Sequence, residues 1–288
     1  MFDSALGGSS LSWSLVQPEV ARTTRACSYD RAGFGWSDAG PMPRTAARCA
    51  GELRELLRRA DVPAPYVLVG HSFGGLVMRV FAARWPEETA GLVLIEPAIP
   101  EEWLEPTEER RRLIARGSDL CRYGAAAARL RLAHAVVWLV RLGALTPARA
   151  VVKTVSRGGL GREDEGILAP IWKLPPDTRA LLREMWTKPS FFEALGSQIA
   201  AICESAGDVL RTSAAHLRDL PLTVITSATA GEHRLQADRA LSKLSTRGEH
   251  VVASNTGHWI PLDNPQAVID AVNAMVARIR GRDRRGGP

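Results

Sequence analysis

The most constraining feature of the sequence is an apolar run that leads directly into a Gly-x-Ser-x-Gly motif. Tyr66–Val69 precedes the motif, Ser72 lies at its centre, and a helical pattern begins at Leu76. A serine between a buried strand and a helix needs a sharp turn, in which Gly70 and Gly74 avoid the clash of a Cβ with neighbouring backbone. The following helix would direct its positive end at this turn. The motif therefore predicts a nucleophile at Ser72.

Strand-like and helix-like segments alternate around this motif. Buried strands are predicted at Gly91–Ile95, Leu222–Thr226 and His250–Ala253, and a further strand at Arg25–Tyr29. Apolar runs without polar alternation are typical of parallel sheets, whose right-handed crossovers carry helices. The sequence therefore predicts an α/β fold with a mostly parallel sheet flanked by helices. Helices of this core are predicted at Trp13–Val20, Ala46–Ala60, Leu76–Arg84, Arg234–Leu244 and Pro265–Ile279.

The alternation is interrupted in the middle of the chain, where only helical periodicity and loops are found. The predicted helices of this segment are Glu108–Arg116, Ala125–Leu142, Arg179–Trp186 and Phe191–Arg211. Such an interruption predicts an inserted, all-helical cap. The predicted domains are residues 1–99 and 221–280 as two parts of the core, 100–220 as the cap, and 281–288 as a basic disordered tail.

Composition excludes several function classes. Hydrophobic residues make up 45% and charged residues 24% of the chain, which is typical of a globular protein. The net charge of +6 is concentrated in a C-terminal segment with five arginines. No aromatic residue interleaves them, so no nucleic-acid partner is expected.

The four cysteines have no CxxC spacing, so no metal site is expected. No signal peptide is visible, which predicts reduced thiols in the cytoplasm.

One segment allows two interpretations of membrane contact. Ala125–Pro147 is apolar but interrupted by three arginines and a histidine, so it is too charged for a transmembrane helix. Its basic face permits contact with a membrane surface. A cap helix over an apolar pocket is the favoured interpretation. Aromatic and aliphatic residues of the cap would line this pocket or form the core between cap helices: Trp138, Leu139, Trp172, Trp186, Phe191 and Phe192.

A serine nucleophile needs a base, and one histidine has the right position. His258 lies in a loop after the last predicted strand. Because parallel strands present their C-terminal ends on one edge, Ser72 and His258 would lie at the same rim. The pattern predicts His258 as the base that takes the proton of Ser72. His71 is expected to point away from the nucleophile and to pack around the site.

The acid that would orient this base has two candidates. Glu96 directly follows the strand after the serine's helix, where a carboxylate is costly unless it is paired. Glu232 follows the next strand and is the alternative acid. Asp238 is expected within a helix, and Asp263 is expected to fix the His258 loop. The sequence favours Glu96 and leaves Glu232 open.

Acyl transfer also needs backbone donors for an oxyanion. The N–H of Phe73, which follows the nucleophile, is one candidate. A second donor is expected from the Gly-rich loop near the start of the chain, at the N–H of Leu6.

Together these segments resemble the α/β-hydrolase fold family. The matching segments are Ser4–Ser10, Tyr29–Asp38, Gly70–Gly75, Gly91–Glu96 and Gly257-His258. The resemblance implies the order serine, acid, histidine and a variable helical cap. In carrying a serine in the motif, the chain resembles esterase, lipase and peroxidase-like members of the family. Dehalogenase-like and epoxide-hydrolase-like members carry an aspartate there.

Two departures from the family pattern affect these expectations. Members normally have two further strands before the oxyanion loop, whereas this chain starts within that loop's own strand, so truncation and an exposed sheet edge are expected. The usual acid position near Ala228 also lacks an aspartate. Glu96 occupies the family's alternative acid position.

These features predict a serine hydrolase that cleaves small, apolar carboxylic esters or related acyl substrates through an acyl-enzyme. No metal or organic cofactor is needed for this chemistry. One alternative is a non-catalytic or truncated member that binds acyl compounds without turnover. Another is an acyltransferase or carbon–carbon hydrolase that uses the same triad.

Overall fold

The structure, a computed structural model, describes residues 1–142, 172–212, 217 and 219–283. The chain forms two compact units. The first comprises Met1–Tyr29, Thr45–Glu105 and Cys203–Pro288, and the second comprises Asp30–Arg44 and Pro106–Ile202. The predicted cap boundaries at 100 and 220 stay predictions. Much of the predicted basic tail lies outside the described residues.

The first unit contains a five-stranded parallel sheet whose spatial order follows the chain order. The strands are β1 (Phe2–Asp3), β2 (Tyr66–His71), β3 (Thr89–Ile95), β4 (Leu222–Ser227) and β5 (Gly248–Ala253). Each neighbouring pair is parallel, so the strands end at one common edge. The predicted fold class, a mostly parallel α/β sheet flanked by helices, is confirmed.

The helices largely follow the predicted pattern. In chain order they are α1 (Gln17–Val20), α2 (Ala46–Arg59), α3 (Phe73–Arg84), α4 (Pro100–Leu104), α5 (Glu108–Arg129), α6 (Leu132–Arg141), α7 (Pro176–Met185), α8 (Pro189–Ala200), α9 (Ile202–Thr212), α10 (Glu232–Ser242), α11 (Ile260–Asp263) and α12 (Pro265–Asp283). Thr45 caps α2, because its hydroxyl accepts a hydrogen bond from Arg48 N. Helix α12 continues beyond its predicted end at Ile279.

The core of the first unit lies on the apolar faces of the sheet. One cluster joins the sheet to α12 and to the segment before Val20. It includes Phe2, Trp13, Val69, Val93, Ile225, Val268, Val272 and Met275, all buried. Helix α3 is buried along almost its whole length. Burial of such side chains contributes about 1.5–3 kcal/mol each, so the sheet and α3 form a firm base for residues at the strand ends.

The predicted strand at Arg25–Tyr29 is wrong. This segment makes an isolated bridge between Phe2 and Ser28, with Phe2 N donating to Cys27 O at 2.8 Å. Because β1 is only two residues long, it offers too short an edge for a longer ladder. The segment therefore contacts the sheet without becoming a strand.

Several predicted helix boundaries also differ from the structure. The helices predicted at Glu108–Arg116 and Ala125–Leu142 are instead α5, which runs without a break from Glu108 to Arg129, and the shorter α6. The helix predicted at Trp13–Val20 is a 3-10 helix at Ser10–Trp13 followed by α1, which has a proline in its first turn. The helix predicted at Phe191–Arg211 is divided into α8 and α9 at Ala201.

The second unit is built on close packing between α5 and α8. Glycines on both helices allow this approach, because a Cβ at Gly196 would lie 2.9 Å from Cys121 Cβ and a Cβ at Gly124 would overlap the Phe192 ring. Phe191 meets Phe34 edge-on at 5.7 Å between ring centroids. By contrast, Trp138 and Trp172 are 60% and 63% exposed. Phe191 and Phe192 therefore pack within this unit, which is one of the two roles predicted for the cap aromatics.

Candidate active site

Ser72 lies on a strained turn between β2 and α3. Its backbone has a φ of 53° and a ψ of −114°, a region that non-glycine residues seldom occupy. Three hydrogen bonds hold this conformation. Ser72 N donates to Ile95 O at 3.0 Å, and Ser72 O accepts from the N–H groups of Gly75 and Ala98 at 2.9 and 3.1 Å. The turn is thus fixed by both its own helix and the end of β3.

The glycines of the motif have the steric role predicted for them. A Cβ at Gly70 would lie 2.5 Å from Gly74 O. A Cβ at Gly74 would lie 2.5 Å from Asp3 O and 2.7 Å from Ser4 O. The second glycine therefore allows the loop after β1 to approach the backbone beside Ser72.

Glu96 occupies an equivalent corner after β3. It has a φ of 43°, and its N–H donates to Ile225 O at 2.8 Å. Its side chain is buried, and one carboxylate oxygen accepts a 2.6 Å hydrogen bond from Ser227 N. The other oxygen lies 3.4 Å from His258 Nδ1 and 4.0 Å from the Arg234 guanidinium. The structure thus brings Glu96 and His258 together.

The charge state of Glu96 follows from these contacts. Burial alone would raise the pKa of the carboxyl. Hydrogen bonds from His258 and Ser227 N, together with the charge of Arg234, outweigh burial and leave the pKa below its ordinary value. Glu96 is therefore ionised at neutral pH.

His258 lies in the loop between β5 and α11. The loop is fixed by Asp263, whose carboxylate accepts from Gly257 N at 2.8 Å, which is the contact predicted for that residue. Thr256 O accepts hydrogen bonds from the hydroxyls of Ser227 and Thr229. Because Nδ1 faces an ionised carboxylate, Nδ1 carries the proton and Nε2 of the neutral ring is an acceptor. The His258 side chain is 46% exposed, so solvent reaches it.

The alternative acid does not share this environment. Glu232 is exposed in the first turn of α10, and its carboxylate accepts from Gln236 at 2.8 Å. Asp238 is buried in the same helix, as expected, and accepts from Thr226 and Arg234 at 2.7 and 2.8 Å. Of these three carboxylates, the structure records the contact with His258 for Glu96.

The candidate oxyanion donors belong to α3 and to the loop after β1. Phe73 is the first residue of α3, and the N–H groups of a first helical turn point out of its N-terminal end. Leu6 belongs to the loop after β1. That loop is closed by hydrogen bonds from Gly8 N to Ala5 O at 3.0 Å and from Ser4 Oγ to Ser9 O at 2.7 Å. The approach of this loop to Gly74 places it next to the serine turn.

Two residues near Glu96 and His258 make contacts that were not predicted from the sequence. Arg234 donates to Asp238 and to Pro97 O. Its spacing of four from Asp238 on one helix was a visible signal for the first of these. His71 is buried beside Ser72, and its Nε2 lies 2.8 Å from His258 O. Nothing in the local sequence indicates that long-range contact.

The described residues show no group of three or more His, Cys, Asp or Glu side chains that could hold a metal ion. All four cysteines are free. Within the part of the chain that the structure describes, no helix is both long and apolar enough to cross a membrane.

Comparison with known sequences identifies relatives with the same fold. A family model described as "Alpha/beta hydrolase family" matches residues 4–271. An uncharacterised protein of Schizosaccharomyces pombe is 28% identical over 271 residues, which is 91% of this chain and 43% of that protein. The Bacillus subtilis protein YqjL is 34% identical over 34% of this chain and 39% of its own length. The chain thus spans less than half the length of these relatives.

Solved structures with similar folds include several enzymes. An esterase from Thermogutta terrifontis has a TM-score of 0.66 and 17% identity, covering 96% of this chain and 89% of its own. A putative epoxide hydrolase from Pseudomonas aeruginosa has a TM-score of 0.68 and 17% identity, with coverages of 97% and 88%. An enol-lactonase from Burkholderia xenovorans has a TM-score of 0.59 and 20% identity, with coverages of 96% and 90%.

These structural similarities agree with the parallel sheet, but at such low sequence identity they are evidence for the fold and for nothing beyond it. The match of the family model is independent of them and extends over nearly the whole sequence. The protein therefore belongs to the alpha/beta hydrolase family.

Proposed function

We propose that this protein is a serine hydrolase that cleaves carboxylic esters or related acyl compounds through an acyl-enzyme. The observation that carries the proposal is the alignment of three strand ends. Ser72 follows β2 on a strained turn, Glu96 follows β3, and His258 follows β5 with Nδ1 directed at Glu96. This arrangement matches the roles of nucleophile, acid and base in acyl transfer.

The first half of the reaction uses the neutral His258 as a base. Nε2 removes the proton from the Ser72 hydroxyl as Oγ attacks the substrate carbonyl. Ionised Glu96 holds the ring in the tautomer with Nδ1–H and stabilises the imidazolium that forms. The 3.4 Å separation of Nδ1 and the carboxylate is long for a side-chain hydrogen bond.

The tetrahedral intermediate places a negative charge on the former carbonyl oxygen. The backbone N–H groups of Phe73 and Leu6 are the proposed donors to this oxygen, and each such donor contributes about 3 kcal/mol of transition-state stabilisation. Protonated His258 then gives its proton to the leaving alcohol. Water, activated by the same imidazole, attacks the acyl-enzyme and releases the acid.

For the substrate we propose only a broad chemical class, whereas for the reaction we propose specific steps. We infer a small acyl compound, because the proposed serine attacks a carbonyl carbon and forms an acyl-enzyme that water can release. Enzymes named esterase and enol-lactonase have the same fold. The epoxide hydrolases of this fold class are a weaker guide, since the motif here carries a serine in place of their aspartate.

Covalent labelling tests this proposal directly. Purified protein is treated with a fluorescent fluorophosphonate, and the label is located by peptide mass spectrometry. Labelling is expected on Ser72 and is lost in Ser72→Ala, whereas Ser254→Ala, an exposed serine beyond β5, retains it. Folded wild-type protein that takes no label would contradict the proposal and favour the non-catalytic alternative.

A second experiment separates hydrolysis from acyl transfer. It compares the products formed from a nitrophenyl ester with and without an added alcohol.

A further inference from the structure

We propose that His71 is a positioning residue that ties the strand carrying Ser72 to the loop carrying His258. The inference rests on the proposed function, because it assigns a role within that site. It concerns a histidine that takes no part in the proton transfers proposed above. Its function is to hold the base in the orientation that the nucleophile requires.

The sheet order explains why such a tie is needed. Strand β5 is separated from β2 by β3 and β4. With strands spaced about 4.8 Å apart, the two ends lie about 14 Å apart along the sheet edge. The His258 loop must therefore extend back across two strands. Contacts of Ser227 and Glu96 support the loop part of the way, and a further contact is needed at the β2 end.

The hydrogen bond of His71 provides that contact. Its Nε2 lies 2.8 Å from the carbonyl oxygen of His258. Because a carbonyl oxygen only accepts, Nε2 must carry the proton, which sets the tautomer of the ring. The bond joins a strand residue to the backbone of the catalytic loop, 187 positions later in the chain. It therefore restrains the main chain from which the His258 ring projects.

Ring packing restrains the same loop a second time. The His71 ring lies 5.0 Å from the His258 ring and 5.4 Å from the Trp259 ring, measured between centroids. His71 itself is 1% exposed, so its own position is fixed. A side chain fixed in the core thus contacts both the backbone and the ring of the proposed base.

The position of His71 along the strand couples this restraint to the nucleophile. His71 is the last residue of β2 and pairs with Ile95 of β3. Ser72 and Glu96 directly follow these two residues, and both have positive φ. The restraint on the His258 loop therefore begins one residue before Ser72.

The charge state of His71 suits this role. Burial, with repulsion from His258 as a smaller cause, lowers the pKa of His71 to about 3. The ring is therefore neutral when His258 becomes protonated, so it does not oppose the imidazolium. Above this pKa it remains a neutral ring that donates a hydrogen bond through Nε2–H.

A matched pair of variants tests the role of the donor. His71→Gln keeps an N–H group near the Nε2 position, whereas His71→Met has similar length but no donor. Fluorophosphonate inactivation gives a maximal rate and a half-saturating concentration for each. We expect His71→Met to lower the maximal rate about 10- to 100-fold with the half-saturating concentration nearly unchanged, since small displacements of catalytic groups have effects of this size. His71→Gln should stay within about 5-fold of wild type.

Controls separate positioning from stability. His233→Met replaces an exposed histidine of α10 and should label at the wild-type rate. Equal rates for the Gln and Met variants, both folded by circular dichroism, would overturn the inference. A parallel change in rate and half-saturating concentration would indicate a general disturbance of the pocket and would also overturn it.

A measurement on the unaltered protein covers the case in which the variants do not fold. In nitrogen NMR spectra with labelled histidine, His71 should be the neutral Nε2–H tautomer at every pH well above its pKa of about 3. An Nδ1–H tautomer or a cationic ring would contradict the inference. Failure of the proposed function is distinguishable, because it would show as absence of Ser72 labelling in wild type with the His71 tautomer as described.

Discussion

Glu96 and Glu232 follow neighbouring strands of one parallel sheet, but their surroundings differ. Glu96 is the first residue after β3, is buried, and accepts hydrogen bonds from Ser227 N and His258. Glu232 begins α10, is exposed, and contacts Gln236. The comparison shows that the distance from a strand end decides what a carboxylate can do. A residue directly at the corner is held by the next strand, whereas one farther along joins the following helix.

The largest expected effect comes from removing each carboxylate in turn. Glu96→Gln should lower the labelling rate of Ser72 about 10²- to 10⁴-fold, because the ring of His258 loses the charge that orients it and stabilises the imidazolium. Glu232→Gln should stay within about 2-fold, as for other exposed sites away from the chemistry. Time courses of fluorophosphonate labelling, quenched at intervals, measure the labelling rates of both variants. The reverse ranking would assign the role of the acid to Glu232.

The second prediction concerns Arg234, which supports the Glu96 corner. Arg234→Met leaves Asp238 buried without its cation, and removal of one partner from a buried pair costs about 3 kcal/mol. The labelling rate should fall about 10-fold as the corner loses the bond from Arg234 to Pro97 O. Urea unfolding measures the first effect. Arg239→Met, on the same helix but exposed, is the control, and equal stability of the two variants would contradict the role of Arg234.

A third prediction compares a glycine that packs against Pro97, the residue after Glu96, with the glycine that precedes Glu232. A Cβ at Gly75 would lie 2.8 Å from Pro97 Cβ, whereas a Cβ at Gly231 meets nothing within 4 Å. Gly75→Ala should displace the residue after Glu96 and lower the labelling rate about 10-fold. Gly231→Ala should change the unfolding free energy by less than about 1 kcal/mol. Similar labelling rates for the two variants would show that the Glu96 corner tolerates displacement.

The smallest effect is expected in the acid dependence of stability. The pKa of Glu96 is lowered in the folded protein, so its ionised form stabilises the fold above the unfolded pKa of about 4.3. That stabilisation is lost as the pH falls through the lower, folded value. The difference in unfolding free energy between wild type and Glu96→Gln should therefore shrink below about pH 4.3. Glu232→Gln gives the baseline for loss of a carboxylate, and a constant difference for Glu96→Gln would contradict the prediction.

Local patterns were sufficient to predict most of the elements that carry the site. The apolar runs before Ser72 and Glu96 predicted two central strands, and the glycines of the motif predicted the close backbone approaches at the turn. The strand at Arg25–Tyr29 was predicted wrongly, because strand formation there depends on the length of a partner edge and not on its own composition. Helix breaks such as that at Ala201 had no visible local signal.

The sequence by itself determined the chemistry available to this protein: a serine on a glycine turn, a loop histidine, and carboxylates after two strands. The sequence favoured Glu96 over Glu232, but only the tertiary structure revealed the contacts of Glu96 with Ser227 and His258 and joined His71 to the backbone of His258. The physical reason is that these choices depend on contacts between residues more than 100 positions apart. Periodicity and turn chemistry report a residue's immediate neighbours, whereas such contacts are set by strand order and by which groups are buried together.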